Sequence, residues 1–557
     1  MKYSVVAASI ALIAFTSGAL ANPAAAQAVR KPFSWDNATV YFLLTDRFNN
    51  ANPANDHAYG RRDDAAPARA YMGGDLAGIT AKIRAGYFKD LGVDAIWITP
   101  PVEQIHAGTD EGTGKSYGFH GYWARDFTSV DANLGTEADV RELVDTAHAN
   151  GLRVLLDVVM NHTGPVTADD PVWPADWVRT GPTCTYKDAR TTIDCTLVAN
   201  LPDFRTGSNA AVKLPPALAA KWKAEGRYER ETKELDAFFK RTGYPRAPRY
   251  YLMKWHADWV RKYGFDGFRA DTVKHTEPGV WKELKAVASA AYEDWKRANP
   301  AKRLGDDKFF MTAEVFNYSI AHGHKFDTGG GAMVDFYANG FDSLINFSMK
   351  SDAQQGYEAL FGSYSAALNG PLSGHSVLNY MSSHDDSAPF DALRSRPFET
   401  ANKLLLAPGA AQIYYGDETA RLLHIDGAEG DANLRSFMNW DELAKNAQRT
   451  GYGVADVREH WAKLGQFRHA HLAVGAGVHQ MIQHAPYVFK RTYDKNGVSD
   501  KVVVALGLPT DKRASIPVRG VFNDGQTVRD AYSGTSAVVA GGLVQFPAQN
   551  AVVLISY

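Results

Sequence analysis

Short hydrophobic runs that end in polar residues recur along the chain. Eight such runs, each rich in β-branched or aromatic residues, lie at 38–48, 93–100, 152–162, 265–275, 308–316, 341–349, 376–385 and 410–418. Helix-like stretches separate most of them, for example 136–151 and 281–299. Alternating strand and helix patterns predict a parallel sheet, and eight units favour a closed (β/α)₈ TIM barrel. An open doubly wound sheet would also alternate, but no GxGxxG motif follows the first run.

The alternation is interrupted after the third run and ends near residue 475. Residues 163–248 contain both cysteines, several prolines and a charged stretch, and they are too many for a barrel loop. We interpret them as an inserted subdomain. The predicted barrel therefore comprises 29–162 and 249–474. From 475 to 557, short alternating runs such as YVFKRTY and KVVVALGL predict a small antiparallel β domain.

The N-terminus has the features of an export signal. Lys2 precedes a short apolar run, which is followed by small residues. Two A-x-A sites, at 19–21 and 26–28, place the cleavage after residue 21 or residue 28. A signal peptide at 1–28 predicts a periplasmic or secreted protein with no membrane contact after cleavage, whereas an uncleaved anchor is the alternative.

Cys184 and Cys195 are the only cysteines in the sequence. Export would allow them to form a disulfide, and closing so short a loop would stabilise the fold by about 2–3 kcal/mol. Two free thiols are the alternative. A thiolate zinc site is disfavoured, because two cysteines cannot complete its ligand shell.

Charge narrows the range of partners. The chain has 60 basic and 62 acidic side chains, for a net charge of −2. This balance gives no electrostatic reason to expect nucleic acid or an anionic membrane as a partner, and it favours an uncharged or small substrate.

Polar side chains collect where the predicted barrel strands end, which is where the active site of a (β/α)₈ barrel lies. The third run ends in Asp157, Asn161 and His162, the fourth in Arg269, Asp271, Lys274 and His275, the fifth in Glu314, and the seventh in His384 and Asp385. Barrel interiors are usually filled by Val, Ile and Leu, so this polar ring predicts a functional site.

The carboxylates in this ring suit glycoside hydrolysis. A retaining glycosidase needs a nucleophile and a protonated acid about 5–5.5 Å apart, and Asp271 and Glu314 follow neighbouring strands. Arg269 shares a strand face with Asp271 and would keep it ionised. Glu314, near other carboxylates and apolar neighbours, would be protonated. A structural ion pair between Arg269 and Asp271 is the alternative.

Four segments, DVVMNH, GFRADTVKH, TAEVF and SSHD, resemble in order and spacing the signature segments of the α-amylase family of retaining α-glucan hydrolases, glycoside hydrolase family 13. The resemblance covers nearly the whole mature chain, and it implies a TIM barrel, a subdomain B at 163–248 and a C-terminal antiparallel β-sandwich at 475–557. The segments LPDF, LLLAPGAAQIYYGDE and MNW are most similar to bacterial periplasmic members that act on maltodextrins. Ser383 departs from the asparagine of many members, which leaves the acids intact.

The resemblance also implies roles for individual residues. Asp271 matches the nucleophile, Glu314 the general acid/base, and Asp385 the third acid, which holds sugar hydroxyls. The residues implied to bind substrate are His120, Tyr122, Asp157, His162, Arg269, Lys274, His275 and His384. Lys274 and His275 match the rim on the leaving-group side.

Calcium is the cofactor that the resemblance implies. Asn161, Asp203 and the backbone carbonyl of His275 match the family's site between barrel and inserted subdomain, and hard oxygen ligands suit calcium. A second candidate matches a calcium loop of related cyclodextrin-forming enzymes and consists of Asn50, Asn52, Asn55, Asp56, Gly73 and Asp75. Asn50 replaces an expected aspartate there, and an Asn/Pro turn is the alternative.

These expectations combine into an exported α-amylase that hydrolyses internal α-1,4 bonds of starch and maltodextrins with retention, through a covalent glycosyl-enzyme. We expect a monomer whose partner is the α-glucan substrate. The alternatives are a cyclomaltodextrinase or maltogenic amylase, or an α-glucan transglycosylase, which share the same intermediate. A non-catalytic sugar-binding protein is disfavoured, because all three acids are present.

Overall fold

The computed structural model describes residues 33–386, 388–495, 497–547 and 550–557. The predicted signal peptide at 1–28 lies outside the described residues. Among the described helices, none combines the length and the apolar character needed to cross a bilayer.

Eight parallel strands close into a barrel, which confirms the predicted fold class. In chain order they are β1 Thr39–Leu43, β2 Ala95–Ile98, β3 Arg153–Val158, β4 Gly267–Ala270, β5 Phe310–Ala313, β6 Ser343–Asn346, β7 Ser376–Tyr380 and β8 Ala410–Tyr414. Each strand lies inside one of the eight predicted runs. β1 pairs with both β2 and β8, which closes the barrel. The runs read as almost continuously apolar because the barrel interior and the outer helices bury both faces of each strand.

Helices lie around this barrel and in the region inserted after β3. The longer ones are α1 Leu76–Arg84, α2 Glu137–Ala149, α3 Pro216–Ala224, α4 Tyr228–Thr242, α5 Pro248–Tyr263, α6 Pro278–Ala298, α7 Tyr357–Asn369, α8 Pro397–Leu405 and α9 Val454–Ala470. Short helices lie at Thr45–Phe48, Tyr87–Asp90, Arg190–Ile193, Met349–Asp352, Trp440–Ala444 and Ala473–Ala476. Local signals set their ends. For example, Thr136 and Asp139 form a capping box at the start of α2.

One unit of the barrel lacks its helix. Between β5 and β6, residues 314–342 form a 3₁₀ turn at Ile320–His322 and a hairpin of Lys325–Asp327 with Met333–Asp335. Three consecutive glycines at 329–331 have positive φ, which favours the turn of a hairpin over a helix. This hairpin later forms one side of the candidate site.

The region between β3 and β4 contains the predicted insertion. It comprises α3, α4 and a small antiparallel pair of Val178–Arg179 with Asp203–Phe204, and it packs against α5 through buried tryptophans such as Trp177 and Trp255. Cys184 and Cys195 are joined by a disulfide, with their Cα atoms 4.9 Å apart. The predicted disulfide is confirmed.

Outside the inserted region, three further short strand pairs join Val102–Gln104 to Ala124–Val130, Thr109–Asp110 to Lys115–Ser116, and Gln448–Arg449 to Tyr452–Gly453.

The C-terminal region is an antiparallel β-sandwich, as predicted. Its strands are β9 Val478–Gln483, β10 Tyr487–Lys495, β11 Val498–Leu506, β12 Ala514–Pro517, β13 Thr527–Asp530, β14 Ser536–Val538, β15 Leu543–Phe546 and β16 Val552–Ser556. Six strands form a sheet in the order β9-β10-β11-β16-β13-β14, and β12 pairs with β15. A separate apolar core that includes Val503, Ile516 and Phe546 fills the space inside the sandwich.

Candidate active site

Two acids meet at the carboxyl ends of neighbouring strands. Ala270 at the end of β4 pairs in register with Ala313 at the end of β5, so Asp271 and Glu314 follow at the same level. The ladder continues past the strand ends, because the Glu314 backbone N–H donates to the Ala270 carbonyl at 2.9 Å. The side chains of the two acids contact the same Arg269 guanidinium, Asp271 at 2.7 Å and Glu314 at 3.2 Å. The predicted proximity of Asp271 and Glu314 is therefore present in the structure.

One guanidinium contacts three carboxyl groups. Nη1 of Arg269 lies 2.7 Å from Oδ1 of Asp271 and 3.1 Å from Oδ1 of Asp157. Nη2 of the same side chain lies 3.2 Å from Oε2 of Glu314. Arg269 is buried, and its guanidinium stands 4.9 Å from the centre of the Trp97 ring. The cation is therefore fixed between the two acids and cannot move to solvent.

This arrangement drives the pKa values of the two acids apart. Burial opposes ionisation of Asp271, but Arg269 and then His162 outweigh it, so the pKa of Asp271 lies below its ordinary value. Burial raises the pKa of Glu314 well above its ordinary value, and the charges of Asp271 and Asp385 add to the effect against the opposing charge of Arg269. These opposite shifts favour an ionised Asp271 and a protonated Glu314, which suits a nucleophile and a general acid.

Asp157 lies below these acids. Its side chain has no exposed surface, and Oδ2 accepts hydrogen bonds from the Tyr122 hydroxyl at 2.8 Å and from Trp97 Nε1 at 3.0 Å. Because these donors and Arg269 use its oxygens, Asp157 holds other site residues in place. Direct contact with substrate, which was predicted for Asp157, does not fit this burial.

Tyr122 and three histidines form one wall of the site. The Tyr122 ring is nearly parallel to the rings of His384 and His120, with centres 5.4 and 5.7 Å apart. Nε2 of His162 donates to the Tyr122 carbonyl at 3.1 Å, and Nδ1 of His120 accepts from the Tyr122 N–H at 3.0 Å. Burial lowers the pKa of all three imidazoles. Neutral imidazoles of this kind can hydrogen-bond to uncharged hydroxyl groups.

The third acid, Asp385, is partly exposed to solvent. The Asp385 side chain is 35% exposed, and its Oδ1 lies 3.8 Å from Nδ1 of His384. Arg435 fixes this loop by donating from Nε to the His384 carbonyl at 2.9 Å. The neighbouring Asp386 accepts from the Tyr380 hydroxyl at 3.0 Å and pairs with Lys350. Of Asp385 and Asp386, only Asp385 is therefore free to contact a ligand.

A cavity of about 540 Å³ begins at Glu314 and extends between the inserted region and the β5–β6 segment. Lys274 reaches into it, whereas the His275 ring is buried and Nδ1 bonds to the Thr192 carbonyl at 2.9 Å. His275 also lines the cavity, as predicted, and it connects the barrel to the inserted region as well. The sequence interpretation missed Tyr186 and Phe316, which also line this cavity. An aromatic residue two positions after Glu314 was the available signal for Phe316.

The first candidate calcium site has an unsatisfied carboxylate. Asp203 is buried beside Asn161, neither of its oxygens has a hydrogen bond of good geometry, and burial raises its pKa to about 8. A buried carboxylate without a partner is costly, and a bound cation would supply the missing partner. Within the described residues, no three His, Cys, Asp or Glu side chains cluster as metal ligands, so a cation here would also need amide and carbonyl oxygens. Asn161 and the His275 carbonyl can supply them.

In the second candidate calcium loop, only some of the predicted ligands are close together. Asn50 Nδ2 donates to both oxygens of Asp56 at 3.0 Å, and Oδ1 atoms of Asn50 and Asn55 are buried without partners. A Cβ at Gly73 would lie 2.4 Å from the Asn50 side chain, so the glycine is needed for this approach. Asp75 is used differently, because it caps α1. It also accepts from the Asn52 backbone N–H at 2.8 Å, so Asp75 and Asn52 fit the predicted ligand set less well.

An aspartate of lowered pKa beside a glutamate of raised pKa, at the carboxyl end of a (β/α)₈ barrel, is the arrangement expected of a glycoside hydrolase. Comparison with known proteins identifies the family. The family model for the "Alpha amylase, catalytic domain" matches residues 42–187. The chain is 38% identical over 504 residues to the periplasmic alpha-amylase of Escherichia coli K12, covering 80% of this chain and 69% of that protein. The chain belongs to the α-amylase family.

Two further comparisons extend the likeness. The chain is 26% identical over 526 residues to the cyclomaltodextrin glucanotransferase of Paenibacillus macerans. That match covers 93% of this chain but only 64% of the transferase, so the chain spans less than two thirds of that relative. The crystal structure of an Anoxybacillus alpha-amylase superposes with a TM-score of 0.65 at 22% identity, covering 94% of this chain and 99% of that one, which supports the fold.

Proposed function

We propose that this chain is an exported α-amylase that hydrolyses internal α-1,4 bonds of starch and maltodextrins with retention of configuration. The observation that carries the proposal is the buried pair of Asp271 and Glu314 on one Arg269 guanidinium, in which the pKa of Asp271 is lowered and burial raises that of Glu314. The 38% identity to a periplasmic alpha-amylase supports the choice of substrate and of location.

In the first chemical step, an oxygen of Asp271 attacks the anomeric carbon of the sugar bound between Tyr122 and the acids. Glu314 donates its proton to the glycosidic oxygen as the bond to the leaving chain breaks, which yields a covalent glycosyl-enzyme. Glu314, now ionised, then removes a proton from water, which attacks the anomeric carbon and releases Asp271. Asp385, His162 and His384 would hold hydroxyl groups of the reacting sugar.

Calcium would be held by Asn161, Asp203 and the His275 carbonyl, where it would join the barrel to the inserted region. Asn50, Asn55, Asp56 and the Gly73 backbone would hold a second ion. If the first site is used, adding a chelator should lower the Tm of the wild-type protein by several degrees, because a ligand that binds only the folded state stabilises it. Asp203→Asn should show a smaller response to the chelator, because only the second ion remains to be removed. A wild-type Tm that is unchanged by chelation would contradict the calcium proposal.

The test of the main proposal is product analysis over time on starch, maltoheptaose and a cyclodextrin, beside an Asp271→Asn variant. Short maltodextrins released first as the α-anomer, and absent with the variant, are expected from a retaining α-amylase in which Asp271 is the nucleophile. No turnover of any substrate by the wild type would overturn the hydrolase proposal and favour a sugar-binding role.

A second candidate function is transglycosylation or cyclodextrin cleavage. The 26% identity to a cyclomaltodextrin glucanotransferase is the observation that favours it. Both reactions share the glycosyl-enzyme and differ in the acceptor. Products longer than the supplied maltoheptaose, or turnover of cyclodextrin that is faster than that of starch, would support this second function over hydrolysis.

A further inference from the structure

A row of polar side chains crosses the wall of the barrel, starting at Arg269. Arg269 on β4 pairs in register with Thr312 on β5. Thr312 pairs with Ser343 on β6, and Ser343 pairs with Ser376, the first residue of β7. Because barrel strands tilt against the barrel axis, such a row changes height as it passes from strand to strand. The row therefore leads from the layer of Arg269 to the amino-terminal end of the barrel.

The serine side chains of this row point into the barrel. Asn346 and Asn379 lie three positions after Ser343 and Ser376, so they face the opposite side of the same strands. Nδ2 of Asn346 donates to the Tyr364 hydroxyl of α7 at 2.9 Å and to Oδ1 of Asn379 at 2.8 Å. The asparagines therefore face the outer helices, and the serines face the barrel interior.

Every member of the row has a buried polar atom in need of a partner. Within the described part of the chain, no hydrogen bond of good geometry reaches Nε of Arg269 or the hydroxyl groups of Thr312, Ser343 and Ser376. All four residues are buried. Buried polar groups without a partner are costly, and protein interiors satisfy them with ordered water. We call the three hydroxyl-bearing residues the hydroxyl row.

The spacing and the lower end of the hydroxyl row suit water. Neighbouring strands lie about 4.8 Å apart, and two hydrogen bonds of about 2.8 Å through one water molecule span a similar distance. Ser376 lines a cavity of about 480 Å³, together with Phe310, the first residue of β5. Lys308 and Gly374 also line this cavity and are exposed. Water can therefore enter at the end of the barrel opposite the catalytic acids.

At the upper end of the row, Nε is the one guanidinium nitrogen of Arg269 that carboxyl groups do not use. Nη1 contacts Asp157 and Asp271, and Nη2 contacts Glu314. The other titratable groups that face the guanidinium or its partners are Tyr122, His162, His384 and Asp385. A water molecule that accepts from Nε turns its negative end to the cation, which weakens the field of the cation at the acids.

We propose that ordered water molecules join the hydroxyl row to Nε of Arg269, and that Thr312 is thereby a positioning residue for the reaction. Water held by Thr312 fixes the orientation of the guanidinium and moderates the charge that Asp271 and Glu314 experience. Thr312 acts through Arg269 and does not touch substrate. The inference rests on the proposed function, in which these two acids carry out the reaction.

A crystal structure at atomic resolution tests the water molecules without any assay of activity. In the wild type we expect one ordered water between each pair of neighbours in the row, from Nε of Arg269 to Ser376. Thr312→Val keeps the shape of the side chain and removes its hydroxyl, so the waters on both sides of this residue should be lost. Direct hydrogen bonds between the hydroxyl groups of the wild type, or no water between them, would overturn the inference.

The pH dependence of kcat/KM for maltoheptaose tests the effect on the acids. In Thr312→Val both the acidic and the basic fall should move to lower pH by about 0.5 unit, which is about threefold in each ionisation constant. The reason is that a less screened cation favours the ionised form of both acids. Thr312→Ser keeps the hydroxyl and should retain the wild-type profile. An unchanged profile in Thr312→Val, or a move to higher pH as expected if Arg269 were only loosened, would overturn the inference.

Thr39→Val is the matched control. The Thr39 hydroxyl is also buried and has no partner among the described residues. Phe42, three positions later on β1, stacks on Trp97 inside the barrel at 3.7 Å, so Thr39 faces the other side of the strand. This variant should leave the pH profile in place. A shift equal to that of Thr312→Val would overturn the inference.

Ser343→Ala keeps the test available if Thr312→Val does not fold. It breaks the row one strand further from Arg269, so the profile should move in the same direction by a smaller amount, and an unchanged profile would count against the inference. A wild type that turns over no glucan would contradict the proposed function instead. The crystal structure would then still decide whether water occupies the row.

Discussion

At the scale of single residues, Arg269 is shared between groups that must hold opposite protonation states. Nη1 contacts Asp271 and Nη2 contacts Glu314, and the charge lowers the pKa of both. The two acids still differ, because burial and then the charge of Asp271 raise the pKa of Glu314, whereas Asp271 receives the shorter contact with Arg269 and further help from His162. Burial together with one shared cation therefore favours the protonation states that the proposed mechanism needs.

Removing this cation should move the pH dependence of kcat/KM. Activity falls at low pH as Asp271 gains a proton and at high pH as Glu314 loses one. Because Arg269 lowers both pKa values, Arg269→Gln should shift both limbs to higher pH and lower the maximum by roughly 10²–10³-fold. The measurement is a pH profile of kcat/KM with maltoheptaose. Arg269→Lys, which keeps a charge but cannot contact both acids as a planar fork, should shift the limbs less. If the acidic and basic falls of kcat/KM in Arg269→Gln occur at the same pH as in the wild type, this account is contradicted.

Glu314 should be needed only where the leaving group needs a proton. Glu314→Gln should lower kcat/KM for maltoheptaose by about 10²–10⁴-fold, the usual contribution of a general acid. α-Maltotriosyl fluoride should still glycosylate Asp271 in this variant, because fluoride leaves without protonation. Mass spectrometry should then detect a covalent maltotriosyl adduct on a peptide that contains Asp271. An unmodified Asp271 peptide, together with fluoride release, would argue against Asp271 as the nucleophile.

At the scale of elements, the disulfide-closed loop 184–195 connects three parts of the molecule. Its Thr192 contacts His275 after β4 and Thr328 in the hairpin that replaces a helix after β5. The hairpin forms because 329–331 are glycines, and the loop packs directly on them. The loop 184–195 and the hairpin between β5 and β6 thus pack against each other beside the candidate active site. Neither segment is part of a regular barrel.

Replacing both cysteines should disturb the loop 184–195 while the barrel stays folded. In the double variant Cys184→Ser, Cys195→Ser we expect a loss of about 2–3 kcal/mol in the free energy of unfolding, because the unfolded chain gains the freedom of the opened loop. Turnover of maltoheptaose should fall while that of α-maltotriosyl fluoride is kept. Denaturant unfolding and the two assays provide the measurements. Unchanged maltoheptaose turnover would show that the remaining contacts hold the loop without the disulfide.

At the scale of the whole molecule, the β-sandwich shares a core with the barrel. One face of its larger sheet packs on α7, where Tyr357 stacks on Tyr487 at 5.6 Å and Phe361 lies 5.5 Å from Phe489. Arg491 of β10 is fully buried at this junction. The opposite face of the same sheet encloses the separate core of the sandwich. The sheet is therefore apolar on both faces and links the two regions.

A chain that ends at residue 474 should consequently misfold. It would expose Tyr357, Phe361 and neighbouring apolar side chains of the barrel, and patches of this kind promote aggregation. We expect the truncated protein to be insoluble or to bind a hydrophobic dye, and the full chain to unfold in one thermal transition. A soluble, active truncated protein, or two separate transitions of the full chain, would contradict a shared core.

Sequence patterns located most of this fold because the determinants are local. Each barrel strand is a short apolar run with a fixed period, and the eight runs matched β1 to β8. The register of parallel strands then brings residues that follow neighbouring runs together, so Asp271 and Glu314 could be paired without coordinates. The disulfide could likewise be inferred, since only two cysteines were available.

Other features depended on contacts between distant segments. In the sequence, Asp157 is one more acid at the end of a strand. In the structure it is buried and holds Arg269 and Tyr122 in place by hydrogen bonds. His275 was predicted to line the rim, and it does so, but its second contact, with the Thr192 carbonyl of the inserted region, could not be predicted from the sequence. The missing helix after β5 and the positions of Tyr186 and Phe316 also follow from how loops from separate parts of the chain pack together.

The barrel, the C-terminal antiparallel domain and the pairing of Asp271 with Glu314 could be predicted from the sequence, because periodicity, strand register and residue chemistry are properties of short segments. The strand order of the sandwich, the polar residues that face the cavity and those that are buried supports became evident from the tertiary structure alone. Those outcomes depend on packing between residues more than a hundred positions apart, as between Thr192 and Thr328, and no local pattern encodes such contacts.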